Sequence, residues 1–146
     1  MNQPNDKAVI HSAGDGLFVA ITPSGHAQVL DANSERASAA SPVELLLMAL
    51  GGCTAVDVIS ILRKKREHVT DYRVEVRGER RDELPRKFTR MEVHHIVRGR
   101  NVSTRAVEQA VELSETKYCS VAATLSPGVD IVTTIEVLED DQPGQN

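Results

Sequence analysis

Hydrophobic and polar positions follow two short-range patterns along the chain. In the first third, short apolar runs are separated by glycine- and proline-containing turn signals, which predicts three strands over residues 8–11, 17–21 and 27–30. Later, apolar and polar residues alternate, which predicts three half-buried strands over residues 72–77, 91–97 and 129–137. Residues 82–86 contain a proline and predict the turn between the first two of these later strands.

A long apolar segment, residues 45–62, separates the two sets of strands. Its length approaches that of a membrane-spanning helix, but it contains Asp57, and no second apolar segment could supply a partner for that carboxylate. Ser41 and Glu44 form a capping box around Pro42, and basic residues 63–66 suit a helix C-terminus. We therefore predict a central core helix over residues 42–66, about 37 Å long.

Two shorter helices are expected after the hairpin. Ser103 suits an N-cap, with Val102 and Val107 placed as a hydrophobic staple, and Cys119 opens a short third helix. The order of strands, helix, hairpin, helices and strand predicts an α+β fold. We expect a single domain over residues 1–146, with loose polar tails at 1–6 and 139–146.

The amino-acid composition argues against a nucleic-acid-binding function. Charged residues make up 26% of the 146 residues, the net charge is −4, and aromatic residues make up 3%. A nucleic-acid-binding protein normally has a basic surface or stacking aromatic residues, so no nucleic-acid partner is expected. The chain shows no secretory signal pattern, so we predict a cytoplasmic protein with no membrane partner.

Cys53 is the most informative candidate for chemistry. It follows Gly51 and Gly52 within the apolar helix, and two glycines there indicate either close approach of another backbone or a break in the helix. A break would place Cys53 at a helix N-terminus and lower the pKa of its thiol, whereas a continuous helix would not. Asp57, one turn further on, would disfavour the thiolate unless a cation neutralises it.

Cys119 lies 119 − 53 = 66 positions after Cys53. The two thiols can act together only if the fold brings them close, which the spacing leaves open. They form no C-x-x-C motif, and His94 and His95 point to opposite faces of a strand and cannot readily chelate one ion. We therefore expect no metal and no bound cofactor.

The segment 41–54, SPVELLLMALGGCT, and Cys119 in the setting YCSV resemble the OsmC/Ohr family, closest to its YhfA-like branch. The resemblance covers nearly the whole chain. It implies an intertwined α+β homodimer with long central helices packed between antiparallel sheets. It also implies a stress-response peroxidase that reduces organic hydroperoxides with a dithiol as reductant. Cys53 would then be the peroxidatic thiol and Cys119 the resolving thiol.

Two positions depart from the family pattern. In the hydroperoxide reductases an arginine near the first strands and a glutamate directly after the proline hold the thiolate. Here no arginine precedes Arg36, and Val43 follows Pro42. Glu44 lies about 180° around a continuous helix from Cys53, so its capping role is favoured. Arg36, Glu44 and Asp57 are the candidate supporting residues.

These departures keep a second hypothesis open. The fold could serve as a dimeric binding protein for a small apolar or thiol-containing ligand, without turnover. Another thiol reaction at Cys53, such as acyl or persulfide transfer, is a third hypothesis. The apolar neighbours of Cys53 favour an organic over an inorganic peroxide as substrate.

Overall fold

A computed structural model describes residues 7–141. Two compact units divide the chain between Leu46 and Leu47. The described part of the first unit contains three strands, β1 (Val9–Gly14), β2 (Leu17–Ile21) and β3 (Ala27–Asp31), which form an antiparallel sheet in that order. Asp15 and Gly16 take positive φ angles in the first turn, as the glycine- and aspartate-rich turn signal indicates. The three predicted N-terminal strands are confirmed.

The long helix α1 (Pro42–Lys64) contains the division between the two units. Its start is as predicted: Ser41 N–H donates to the Glu44 carboxylate at 2.7 Å, and Glu44 N–H donates to Ser41 Oγ at 3.4 Å. The helix ends at Lys64 and not at Arg66, because Arg66 takes a positive φ of 60°. The N–H groups of Arg66 and Glu67 then bond back to the carbonyls of Arg63 and Leu62, which is a Schellman ending.

The apolar character of α1 has two consequences. By length and composition alone, this helix is able to cross a membrane. Within the second unit it buries one face, as expected of a core helix. The buried residues follow helical spacing and are Leu50, Gly51, Thr54, Val58 and Leu62.

The second unit contains a three-stranded sheet ordered β4 (His68–Arg80), β5 (Phe88–Arg100) and β6 (Asp130–Glu139). All three strands occur where the alternation predicted them, and each is longer. β4 and β5 pair antiparallel, but β5 and β6 pair parallel, so this sheet is mixed and not antiparallel throughout. The physical reason is the connection, since β5 reaches β6 through a helical crossover and not through a tight turn.

The crossover consists of α2 (Thr104–Leu113), one π-helical turn (Ser114–Tyr118) and α3 (Ser120–Leu125). Ser103 caps α2 by accepting a hydrogen bond from Ala106 N–H, as predicted. The core of the unit lies between α1, β5 and α2, where Val58, Leu62, Val97, Ala106, Val107, Ala110 and Val111 pack together.

The predicted tails lie mostly outside the described residues. Residues 1–6 and 142–146 are not described. The predicted start of the C-terminal tail, residue 139, is wrong, because Glu139 pairs with Gly99 as the last residue of β6 and Asp140 N–H donates to Gly99 O.

Candidate functional site

The structure brings Cys53, Asp57 and Cys119 together. One carboxylate oxygen of Asp57 and the two sulfur atoms all lie within 4.8 Å of one another. Cys53 and Asp57 are half-buried on one face of α1, one helical turn apart, and Cys119 is buried at the start of α3. Both thiols are free. The crossover between β5 and β6 therefore juxtaposes two cysteines that are far apart in the sequence.

Gly51 and Gly52 do not break α1. A Cβ atom added at Gly51 would lie 2.9 Å from a methyl group of Val76 on β4, so this glycine permits close approach of the helix to the sheet. Of the two interpretations of the glycine pair, close approach is correct. Cys53 consequently lies in the middle of a continuous helix and gains no stabilisation of its thiolate from a helix N-terminus.

Helix α3 fixes the position of Cys119, which lies at its N-terminus. Cys119 is the N-cap of α3, as predicted, and its Sγ accepts a hydrogen bond from Ala122 N–H at 3.3 Å. The pKa of the Cys119 thiol is raised to about 11, chiefly by burial; the Ala122 N–H opposes this rise, and the neighbouring Cys53 and the negative charge of Asp57 add to it. The Cys119 group is therefore a thiol at neutral pH.

The buried Ser114 hydroxyl fixes the Asp57 side chain. Ser114, fully buried in the π-helical turn, donates to Asp57 Oδ2 at 2.9 Å and shares a hydrogen bond of 3.0 Å with Thr54. No lysine or arginine among residues 7–141 forms an ion pair with Asp57. Sequence reasoning missed Ser114, because no residue pattern marked the π-helical turn that directs it inward.

A second polar pair, Tyr72 and His95, lies on the sheet of the same unit. The Tyr72 hydroxyl and His95 Nδ1 share a hydrogen bond of 2.7 Å, and the two rings are stacked. Burial raises the pKa of Tyr72, and the charge of Asp57 adds to that effect. Burial also lowers the pKa of His95 to about 4, with a smaller contribution from His94. His95 is buried and His94 is not, which confirms that the adjacent histidines face opposite sides of β5.

Arg36 and Glu44, the other two candidate supporting residues, have partners within the first unit. The Arg36 guanidinium donates two hydrogen bonds to the buried Asp31 carboxylate, at 2.9 and 2.8 Å, and one to Asp15 O at 2.8 Å. This pairing lowers the pKa of Asp31 and raises that of Arg36. The bonds from Ser41 lower the pKa of Glu44. Both residues thus have local structural roles, and a role towards Cys53 stays a prediction.

The two sides of the thiol pair differ in open space. Beside Cys119, between Leu50, Val93 and Ile131, a cavity of only about 10 Å³ has room for no more than one water molecule. Beside Asp57, a surface pocket of about 310 Å³ is lined by Ser60, Ile61, Lys64, Leu113 and Tyr118. A ligand larger than water has room in the pocket that Asp57 lines, although neither cysteine lines that pocket.

Comparison with known proteins identifies the family to which this arrangement belongs. The model of the family described as OsmC-like protein matches residues 34–134, which include both cysteines. The chain belongs to the OsmC-like protein family. The resemblance inferred from residues 41–54 and from the setting of Cys119 is thereby confirmed.

Individual relatives agree with this assignment. Protein YhfA of Escherichia coli strain K12 is 48% identical over 125 residues, which is 85% of this chain and 92% of YhfA. A hypothetical protein from Aquifex aeolicus VF5, known from a crystal structure, is 30% identical in sequence to this chain. The two structures superpose with a TM-score of 0.84 over 97% of this chain and all of the Aquifex chain. The organic hydroperoxide resistance protein OhrB of Bacillus subtilis shares the fold, with a TM-score of 0.61 at 13% identity, over 89% of this chain and 98% of OhrB.

Proposed function

We propose that this OsmC-like protein is a thiol-dependent peroxidase that reduces organic hydroperoxides through Cys53 and Cys119. The observation that carries the proposal is the separation of the two sulfur atoms, which is within 4.8 Å. Small side-chain rotations would close that distance to a disulfide bond of about 2.05 Å. Membership of a family that includes organic hydroperoxide resistance proteins supports the same chemistry.

The reaction consists of three balanced steps. The Cys53 thiolate attacks the terminal oxygen of the hydroperoxide, the O–O bond breaks, and the alkoxide leaves with a proton as the alcohol. Cys53 is then a sulfenic acid, and the Cys119 sulfur displaces its oxygen as water to form the Cys53–Cys119 disulfide. An external dithiol reduces this disulfide by thiol exchange and restores both thiols.

The positions of the two cysteines support distinct roles for them. Cys53 is half-buried and lies one helical turn from Asp57, which lines the surface pocket, whereas Cys119 is 3% exposed and borders the small cavity. Because Cys53 is the more exposed of the two thiols, we expect a hydroperoxide to react with Cys53 before Cys119. Leu113, Ile61 and Tyr118 would contact its alkyl part, which favours an organic substrate over hydrogen peroxide.

Homodimerisation in the cytoplasm is part of this proposal. Met48 and Val56 on α1 are 60% and 68% exposed, and Gly52 lies exposed midway between them at helical spacing. Such an apolar stripe with a glycine at its centre suits close packing against another helix. We expect the partner to be a second copy of the chain.

A peroxidase assay with an alkyl hydroperoxide and a dithiol tests the proposed activity, run on metal-free protein in the presence of a chelator. We expect turnover by the wild-type protein and none above background for Cys53→Ser. With the dithiol left out, Cys119→Ser should consume about one equivalent of hydroperoxide and stop at the Cys53 sulfenic acid, which has no resolving thiol. Peptide mapping should find a Cys53–Cys119 link after one equivalent. Wild-type turnover equal to that of Cys53→Ser would contradict the proposal.

One observation favours the second hypothesis, a binding protein without turnover. The group beside the thiols is a carboxylate, Asp57, and not the cation that would stabilise a thiolate. A small apolar or thiol-containing ligand in the pocket beside Asp57 would then raise the melting temperature of the protein. Stabilisation that persists in Cys53→Ser, together with absence of peroxidase turnover, would favour binding over catalysis.

A further inference from the structure

The donor atoms of Cys53, Asp57 and Cys119 match a class of ligand that the peroxidase cycle does not use. Two thiolate sulfurs and one carboxylate oxygen form a donor set that zinc accepts, and a tetrahedral zinc ion holds two sulfurs about 3.8 Å apart. The three atoms here lie within 4.8 Å of one another. Side-chain rotations that shorten the separations by about 1 Å would bring all three atoms to bonding distance of one ion.

The surroundings of these donors resemble the outer shell of a metal site. Ser114 donates to Asp57 Oδ2, which fixes the carboxylate, and within residues 7–141 Oδ1 accepts no hydrogen bond. Ala122 N–H bonds to the Cys119 sulfur, a contact that stabilises a thiolate ligand and orients it. Hydrogen bonds of this kind, made to ligands by groups that do not touch the ion, increase metal affinity.

Charge gives an independent argument. The Asp57 carboxylate is half-buried, and within residues 7–141 no lysine or arginine is ion-paired to it. Lys64 lines the pocket next to Asp57 without forming such a pair. A divalent cation bound there would supply the positive charge that the Asp57 carboxylate has no ion-paired side chain to provide.

We propose that the reduced protein binds one Zn²⁺ ion per chain through Cys53 Sγ, Cys119 Sγ and an oxygen of Asp57. Water completes the tetrahedron from the pocket beside Asp57, and the two thiol protons go to the buffer. The ion uses the same two sulfurs that would form the disulfide, so zinc and disulfide exclude each other. Zinc binding requires only the reduced thiols and does not depend on peroxidase turnover.

Titration of metal-free, untagged, reduced protein with zinc chloride tests this site. Calorimetry in the presence of a competing chelator should give one ion per chain. Cobalt(II), used as a spectroscopic substitute, should produce a thiolate-to-metal charge-transfer band and the intense visible bands of tetrahedral coordination. A stoichiometry of zero, or cobalt spectra without the thiolate band, would overturn the proposal.

Single substitutions test which residues bind the zinc ion. We expect Cys53→Ser and Cys119→Ser each to weaken zinc binding by about 100-fold, and Asp57→Asn by about 10-fold. Asp71→Asn removes an exposed carboxylate of β4 and is the matched control, with no expected change. Unchanged affinity in both cysteine variants would place the metal elsewhere, for example at His94 and Glu136, and overturn the assignment. Asp57→Asn binding as tightly as Asp71→Asn would overturn the three-ligand site.

A measurement on the wild-type protein avoids dependence on the folding of these variants. Zinc should slow alkylation of both cysteines by iodoacetamide, and addition of a strong chelator should restore the rate. Equal alkylation rates with and without zinc would contradict the site. These experiments contain no peroxide, so failure of zinc binding and failure of the peroxidase cycle are distinguished from each other.

Discussion

His95 is buried in β5 with only one of its ring nitrogens hydrogen-bonded, and it makes stability depend on pH. Its pKa is about 4 in the folded protein against an ordinary value of 6.5. Between these values the unfolded chain binds a proton that the folded chain does not, so the free energy of unfolding falls as pH decreases from 6.5 to 4. The loss is up to about 3 kcal/mol, since one pKa unit corresponds to about 1.4 kcal/mol.

Urea denaturation at pH 7 and pH 5 measures this effect. We expect His95→Gln to be less stable than wild type at pH 7 but to lose less stability between the two pH values. His11→Gln, a change at an exposed histidine of β1, is the control and should keep the wild-type pH dependence. The groups that act on His95 are Tyr72 through its hydrogen bond and His94 through its charge. If His95→Gln lost as much free energy of unfolding between pH 7 and pH 5 as the wild type does, the prediction would be wrong.

Ser114 is the residue that connects the π-helical turn to α1. Replacing it by alanine removes the hydrogen bonds to Asp57 and Thr54 and leaves partly buried acceptors unsatisfied. We expect Ser114→Ala to lower the free energy of unfolding by about 1–3 kcal/mol. Ser60→Ala, an exposed serine of α1, should change it by less than about 0.5 kcal/mol in the same urea titration. Equal stabilities of the two variants would show that the Ser114 bonds contribute nothing.

At the level of elements, the contact between α1 and β4 depends on Gly51. Alanine there would place a methyl group 2.9 Å from Val76 Cγ2, on a β-branched side chain that cannot easily rotate away. Overpacking of this kind costs about 1–3 kcal/mol, and the better helix propensity of alanine offsets about 1 kcal/mol of it. We expect Gly51→Ala to be net destabilising by about 1 kcal/mol.

A double-mutant cycle isolates that steric contact. Val76→Ala removes the methyl group, so the double variant Gly51→Ala/Val76→Ala should be more stable than the sum of the single changes indicates, by at least about 0.5 kcal/mol in thermal or urea unfolding. Additive effects would mean that the helix has shifted to accommodate the methyl group.

The elements themselves were largely predictable, because their signals are local. The capping box at Ser41, the N-cap at Ser103 and the alternation of β4, β5 and β6 each depend on residues close together in the sequence. The parallel pairing of β6 and the meeting of Cys53 with Cys119 depend on the crossover, which no local pattern specifies. The π-helical turn likewise lacks a sequence signal, so Ser114 could not be assigned to the site.

For the whole molecule, the exposed stripe of α1 makes a prediction about assembly. We expect the wild-type protein to sediment as a dimer and Val56→Lys to sediment as a monomer, because a lysine cannot be buried there without a partner for its charge. Leu84→Lys, at a hydrophobic residue that is 85% exposed in the loop before β5, should leave the dimer intact. A Val56→Lys dimer in analytical ultracentrifugation would contradict the proposed interface.

The parallel pairing of β5 with β6 also determines when the thiol pair can exist during synthesis. Cys119 lies in the connection between these strands, and that connection is fixed at both ends only when β6 has paired with β5. A ribosome releases the chain from its N-terminus, so α1 with Cys53 emerges long before β6 does. We expect a nascent chain to present Cys53 as a solitary thiol until β6 has been made. The two-cysteine site is thus expected to assemble only after β6 has left the ribosome.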